Sequence, residues 1–137
     1  MPPTWIAAPD ETYRFGTIPP ISHRFDPLLC CPGGEIRLEV GNIAWGFAHL
    51  STEERRARTG GQDIVRYVYG ITSSYHEIWV QSGRGSLLLK QLQGGQRAAV
   101  VSLTLRDGYY SVLTAFPTPR ALNHRRRREV RIWSREA

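Results

Sequence analysis

The sequence predicts an α+β fold in which two helices pack on a four- to five-stranded antiparallel sheet, a meander. Three observations predict it. Apolar residues recur at helical spacing twice between Ile43 and Ile71. From Glu77 onward, apolar runs alternate with short turns and read as consecutive strands. Helices before strands, within 137 residues, make a single domain with the helices on one sheet face.

The elements follow in order. Residues 1–34 carry prolines at 2, 3, 9, 19, 20, 27 and 32, a density that excludes long helix and central strand. Scattered apolar residues, Trp5, Phe15, Ile18 and Ile21 among them, argue against disorder, so this segment reads as an irregular arm packed on the body or as a linker. Pro32-Gly33-Gly34 is a turn signal. Residues 35–40 alternate, with Ile36, Leu38 and Val40 on one face and Glu35, Arg37 and Glu39 on the other, as a half-buried strand does. Asn42 can cap a short amphipathic helix carrying Ile43, Phe47 and Leu50. Ser51 with Glu54 fits a capping box that restarts the helix through Arg58, and Gly60-Gly61 stops it.

Asp63 reads as the N-cap of a second helix with the stripe Ile64, Val65, Val68 and Ile71. Strands are expected over 78–81, 86–92, 97–105 and 109–116, with a turn at Ser82-Gly83-Arg84-Gly85 and a hairpin at Asp107-Gly108. The chain thus divides into the arm, a body over 35–120 and a basic tail over 121–137, where Val130, Ile132 and Trp133 could form an edge strand.

Composition narrows the function classes. Hydrophobic residues are 41% and charged residues 22%, ordinary for a globular domain. No apolar run is long enough for a membrane span, and no signal peptide is evident at the N-terminus. Adjacent Cys30 and Cys31 cannot easily bond each other, and no Cys/His spacing suits zinc, so neither disulfide, metal nor cofactor is expected. Net charge is +6, and 17 of the 18 basic residues are arginine, the exception being Lys90. Arginine's planar fork matches phosphate, which points to a polyanion, although a GC-rich genome would also favour arginine over lysine. The stretch from Arg120 to the C-terminus holds seven arginines against two glutamates, a balance of +5.

Without a metal motif, phosphate loop or nucleophile elbow, the chemistry left is what His, Arg, Lys and Thr can do alone. Cleavage of RNA by its own 2′-hydroxyl is such chemistry. It needs a proton acceptor that titrates near neutrality, which imidazole does, and cations on the phosphorane. His49, Lys90, Thr114 and one or more arginines would suffice. Each also has a structural explanation: a packed helix histidine, a chance lysine, a β-forming threonine. Tyr109 and Tyr110 face opposite sides of their strand, so one is core and the other can stack on a base; Tyr110 is assigned to RNA.

Trp45-Gly46-Phe47 with His49, and then Tyr110, Val112 and Thr114-Ala115-Phe116-Pro117 at the end of a meander, resemble the barnase/EndoU/colicin/RelE-like (BECR) ribonuclease superfamily, in its polymorphic-toxin or phage-associated branch. The resemblance covers about residues 35–120. It implies a metal-independent endoribonuclease toxin acting on RNA, tRNA foremost, with His49 and Thr114 as the helix histidine and last-strand hydroxyl. Lys90, Arg66 and Arg120 are candidates for the cation, and Arg55, Arg125 and Arg126 for RNA contacts. The second histidine of some members has no counterpart within 25 residues, since His76 is 27 on. The resemblance also implies an acidic immunity or antitoxin partner. The site of action would be the cytoplasm, of a target cell where the domain is delivered within a larger secreted or phage-associated protein. The alternatives are a non-catalytic basic RNA- or DNA-binding module and an inactive phage structural domain.

Overall fold

The computed structural model describes residues 4–59, 63–81, 86–94, 97–118 and 129–135. The strands are β1 (Gly16–Ile18), β2 (Gly34–Arg37), β3 (Glu77–Gln81), β4 (Ser86–Leu92), β5 (Ala98–Leu105), β6 (Tyr109–Thr118) and β7 (Glu129–Ser134). The α-helices are α1 (Gly46–Leu50), α2 (Glu53–Arg58) and α3 (Ile64–Thr72), and a 3-10 turn spans Pro27–Leu29. The sheet order is β1-β2-β6-β5-β4-β3-β7.

This architecture corrects the expected fold class. The body is a curled seven-stranded mixed sheet, close to a half-barrel, and strand outweighs helix among the described residues, 44% against 20%. The meander β3–β6 is antiparallel as its turns suggest. Three additions enlarge it. The Pro-rich arm supplies β1, antiparallel to β2: the stretch between Pro9 and Pro19 is free of proline, so its N–H groups can join a ladder, and Pro19 ends the strand at Ile18. β2 joins β6 in parallel, with Ile36 beside Tyr110; a parallel pair needs a long crossover and leaves no local sequence signal. Val130, Ile132 and Trp133 do lie in an edge strand, β7, paired with β3.

Helices are shorter than the periodicities suggest, and the first is split into α1 and α2. Asn42 is not a cap: its side-chain oxygen accepts from Ala44 N at 2.8 Å and folds residues 42–45 into a tight loop, so α1 starts only at Gly46. The Ser51 capping box is also absent, since Thr52 precedes α2 with no side-chain cap. Asp63 does cap α3, accepting from Arg66 N at 3.1 Å. The turns expected at Gly60-Gly61 and 82–85 lie outside the described residues. No helix among the described residues is long and apolar enough to cross a membrane.

Side chains on a strand alternate between faces. One face carries Leu87, Leu89, Val101, Leu103, Val112 and Ala115, and buries them with Ile64, Val68 and Ile71 of α3 and with Phe15 and Ile18 of the arm. Phe15 is fully buried, so the arm belongs to the core. Leu50 of α1 joins the same cluster, at the flank of β6. The other face carries Arg37, Glu39, Ser111, Ser102, Thr114, Lys90 and Trp79, and the candidate chemistry gathers there.

Candidate functional site

Two glycines shape the loop ahead of α1. Gly41 has φ +62° and Gly46 φ +80°, and a Cβ on either would meet backbone oxygen, Trp45 O at 2.2 Å or Glu39 O at 2.9 Å. Such positive φ at such close quarters admits glycine and little else. The tight loop turns the Ile43 carbonyl back toward α1. There His49 Nδ1–H donates to it at 2.8 Å. With its proton held on Nδ1, the neutral ring presents an unprotonated Nε2, which accepts from Thr114 Oγ1–H at 3.1 Å. The two residues are 65 apart in sequence and both half-buried.

Thr114 is aimed by an irregularity in its strand. It pairs with Ser102, and Val112 pairs with Leu103, so Leu113 is an extra residue bulged from β6. Without that bulge, Thr114 would share the face of Val112, inside the apolar core. β6 therefore presents a hydroxyl to α1 and still returns Ala115 to the core.

The other candidates are placed as follows. Lys90 is sequestered. Its side chain is 3% exposed, its Nζ donates to Glu129 Oε1 at 2.9 Å, and it lies 3.9 Å over the Trp79 ring. It shares a sheet face with Thr114, two strands away and roughly 12 Å between Cα atoms at ordinary strand spacing and rise. A lysine so paired is not free to meet a phosphorane. Tyr110 is the core tyrosine: it is 2% exposed, against Cys31, and burial first of all pushes its phenol up to about 12. Tyr109, half-buried, is the member of the pair that faces the other side of the strand. Arg66 is exposed in the first turn of α3, which covers the opposite sheet face, so it is not brought to His49. Arg55 is half-buried on α2, which touches β6. Arg120, Arg125 and Arg126 lie outside the described residues.

No second histidine joins His49 among the described residues. His76 Nδ1 accepts from Leu92 N at 3.0 Å at the far end of the meander. His23 Nδ1 accepts from Asp26 N at 2.9 Å within the arm. No group of three metal-ligating side chains occurs among the described residues. Cys30 and Cys31 are free thiols, and burial raises the pKa of Cys31.

At the start of β6, on the same sheet face as Thr114, lies a cluster that includes a glutamate expected in solvent. Glu39, expected on the polar face of its strand, is 3% exposed. It accepts from Tyr109 OH, and Arg106 Nε stands 3.4 Å from its Oε1. Burial and then Glu39 raise the pKa of Tyr109. The Arg106 guanidinium lies 5.4 Å from the Trp45 ring, which joins this cluster to the loop that holds His49. The signal available in the sequence was the first residue of the Tyr109-Tyr110 pair, which must face away from its core neighbour, together with an acidic residue flanked by the apolar Leu38 and Val40.

Comparison of the chain with protein-family models, with curated proteins and with solved structures finds no match.

Proposed function

We propose that this chain is a metal-independent endoribonuclease that cleaves RNA by transphosphorylation from the 2′-hydroxyl. One observation carries the reading: His49 and Thr114, singled out by a family resemblance, are hydrogen-bonded at 3.1 Å with the imidazole tautomer set by Ile43. In this reading, Nε2 takes the proton of the 2′-hydroxyl. The 2′-oxygen bonds to phosphorus as the P–O5′ bond breaks, which leaves a 2′,3′-cyclic phosphate. The departing 5′-oxygen takes a proton from water. Thr114 Oγ1 turns from the imidazole to a phosphate oxygen, and an arginine, Arg55 being the described candidate on an element that touches β6, meets the developing charge. The site would act in a cytoplasm, and a toxin of this kind calls for an acidic neutralising partner.

The test is cleavage of labelled RNA with EDTA present. Wild type is expected to yield 2′,3′-cyclic phosphate ends and His49→Ala to lose activity by at least about 10²-fold. A His49→Ala protein as fast as wild type sinks the reading.

Sequestration of Lys90 favours a second reading, a non-catalytic nucleic-acid-binding module. It predicts salt-sensitive RNA binding with no cleavage by wild type under the same conditions.

A further inference from the structure

A cleft of about 660 Å³ opens on the sheet face of Thr114, toward the start of β6. Trp5, Arg37, Arg106 and Tyr109 line it, with the carboxylates of Glu35 and Asp107. Gly34 and Gly108 line it as well, and neither carries a side chain to fill it. A Cβ on Gly34 would stand 3.2 Å from the Gly108 carbonyl oxygen, while around Gly108 the space is open.

Its walls are flat π surfaces. The Arg37 guanidinium lies 3.9 Å over the Trp5 ring and 5.9 Å from that of Tyr109. Trp5 and Tyr109 meet edge to face at 5.8 Å. The Tyr109 hydroxyl is held by Glu39, so the ring is fixed. The Arg37 side chain is 23% exposed and that of Arg106 45%, so both remain accessible.

The charges argue against a phosphate site. Arg37 is paired with Glu35 at 2.9 Å and Arg106 with Glu39 at 3.4 Å, and Asp107 adds a further carboxylate. Two cations against three carboxylates give no positive field. What suits the cleft is a planar, uncharged group that stacks on guanidinium and aromatic faces and donates hydrogen bonds to carboxylates, which only accept. A nucleobase with an exocyclic amino group has these properties. Uracil does not, because its single N–H lies between two carbonyl oxygens that a carboxylate repels.

We infer that this cleft is a base-binding subsite of the RNA strand that crosses His49 and Thr114, selective for adenine, cytosine or guanine over uracil. The inference rests on the ribonuclease reading for its substrate class. β6 supplies the track: Tyr109 is five residues from Thr114, at most roughly 17 Å at strand rise and less with Leu113 bulged, a span of about two nucleotides of one extended strand.

The experiment uses the full chain carrying His49→Ala, so that RNA stays intact, and short single-stranded oligomers of adenylate, cytidylate and uridylate, with affinity read by fluorescence anisotropy. Adenylate and cytidylate are expected to bind about tenfold tighter than uridylate. Trp5→Leu should weaken all three about tenfold. Glu35→Ala with Asp107→Ala, the first half-buried on β2 and the second exposed in the β5–β6 turn, should reduce the preference to within about twofold, with urea denaturation confirming that the variant folds. Equal binding of the three oligomers, or a preference that survives the double substitution, overturns the inference. Cleavage by wild type is measured in parallel. A base preference without cleavage keeps the cleft and removes the ribonuclease reading. Cleavage with neither preference nor response to these substitutions does the reverse.

Discussion

His49 takes its geometry from one local and one distant partner, the Ile43 carbonyl and the Thr114 hydroxyl. Thr114→Val keeps the side-chain shape and removes only the hydroxyl. Loss of one half-buried hydrogen bond costs about 1 kcal/mol of stability. In the proposed mechanism it should cost far more in rate, about 10²-fold in kcat with little change in KM, measurable by steady-state RNA cleavage. Equal kcat for the two proteins would remove Thr114 from the mechanism. Lys90 belongs to stability. Its partner Glu129 has a fully buried side chain whose second oxygen finds no hydrogen-bond partner among the described residues. Lys90→Met therefore leaves a buried, uncompensated carboxylate and should lower unfolding free energy by about 3–5 kcal/mol, read by urea denaturation. Adding Glu129→Leu should recover most of that loss, since an apolar pair of similar volume escapes the desolvation cost. The composition made Lys90 stand out as the only lysine, but composition carries no information about burial.

At the scale of elements, the loop from Gly41 to Gly46 decides where α1 begins. Helical periodicity beginning at Ile43 was real on paper, yet Ile43 is 80% exposed and does not pack. Two positive-φ glycines and the Asn42 side chain make the chain turn before it coils. Gly46→Ala should destabilise the protein by about 1–3 kcal/mol, because a positive φ and a contact at 2.9 Å both oppose it. Gly70→Ala on α3 is the contrast. Its Cβ meets nothing within 4 Å and the residue is helical, so the substitution should stabilise by about 0.5–1 kcal/mol. Urea midpoints moving in opposite directions for the two variants would bear this out. The bulge at Leu113 is a second device at this scale. No residue type announces it, because an extra residue in one strand is defined only by its partner.

Across the whole molecule, β7 is the edge that closes the sheet, and its Glu129 neutralises Lys90. Removing residues 120–137 therefore removes structure along with charge, and such a deletion is no test of RNA binding. The packing of α3 and the core against the sheet sets a global pH response. Burial pushes the Tyr67 and Tyr110 phenols up to about 12 from an ordinary 10. Below pH 10 both the folded and the unfolded chain keep these protons. Between 10 and 12 the unfolded chain releases them first, so stability holds up to about pH 10 and falls as pH approaches 12. Tyr67→Phe and Tyr110→Phe should each flatten that fall, measured as urea midpoints against pH. A slope unchanged in both variants would contradict this assignment.

The sequence by itself determined the local features. The order of the meander, the Asp63 cap and the edge strand around Val130 were legible because each rests on side-chain pattern or short-range chemistry; His49 and Thr114 were named by a resemblance, and their contact across 65 residues is tertiary. Only the tertiary structure decided the rest. A parallel neighbour for β6, a Pro-rich arm that contributes β1, a buried Lys90 and a core Tyr110 all depend on contacts between residues far apart in the chain. Tyr109 and Tyr110 show the physical reason most simply. Alternation says that they face opposite ways, but which way is inward depends on which face of the strand α3 and the arm cover, and no local pattern records that.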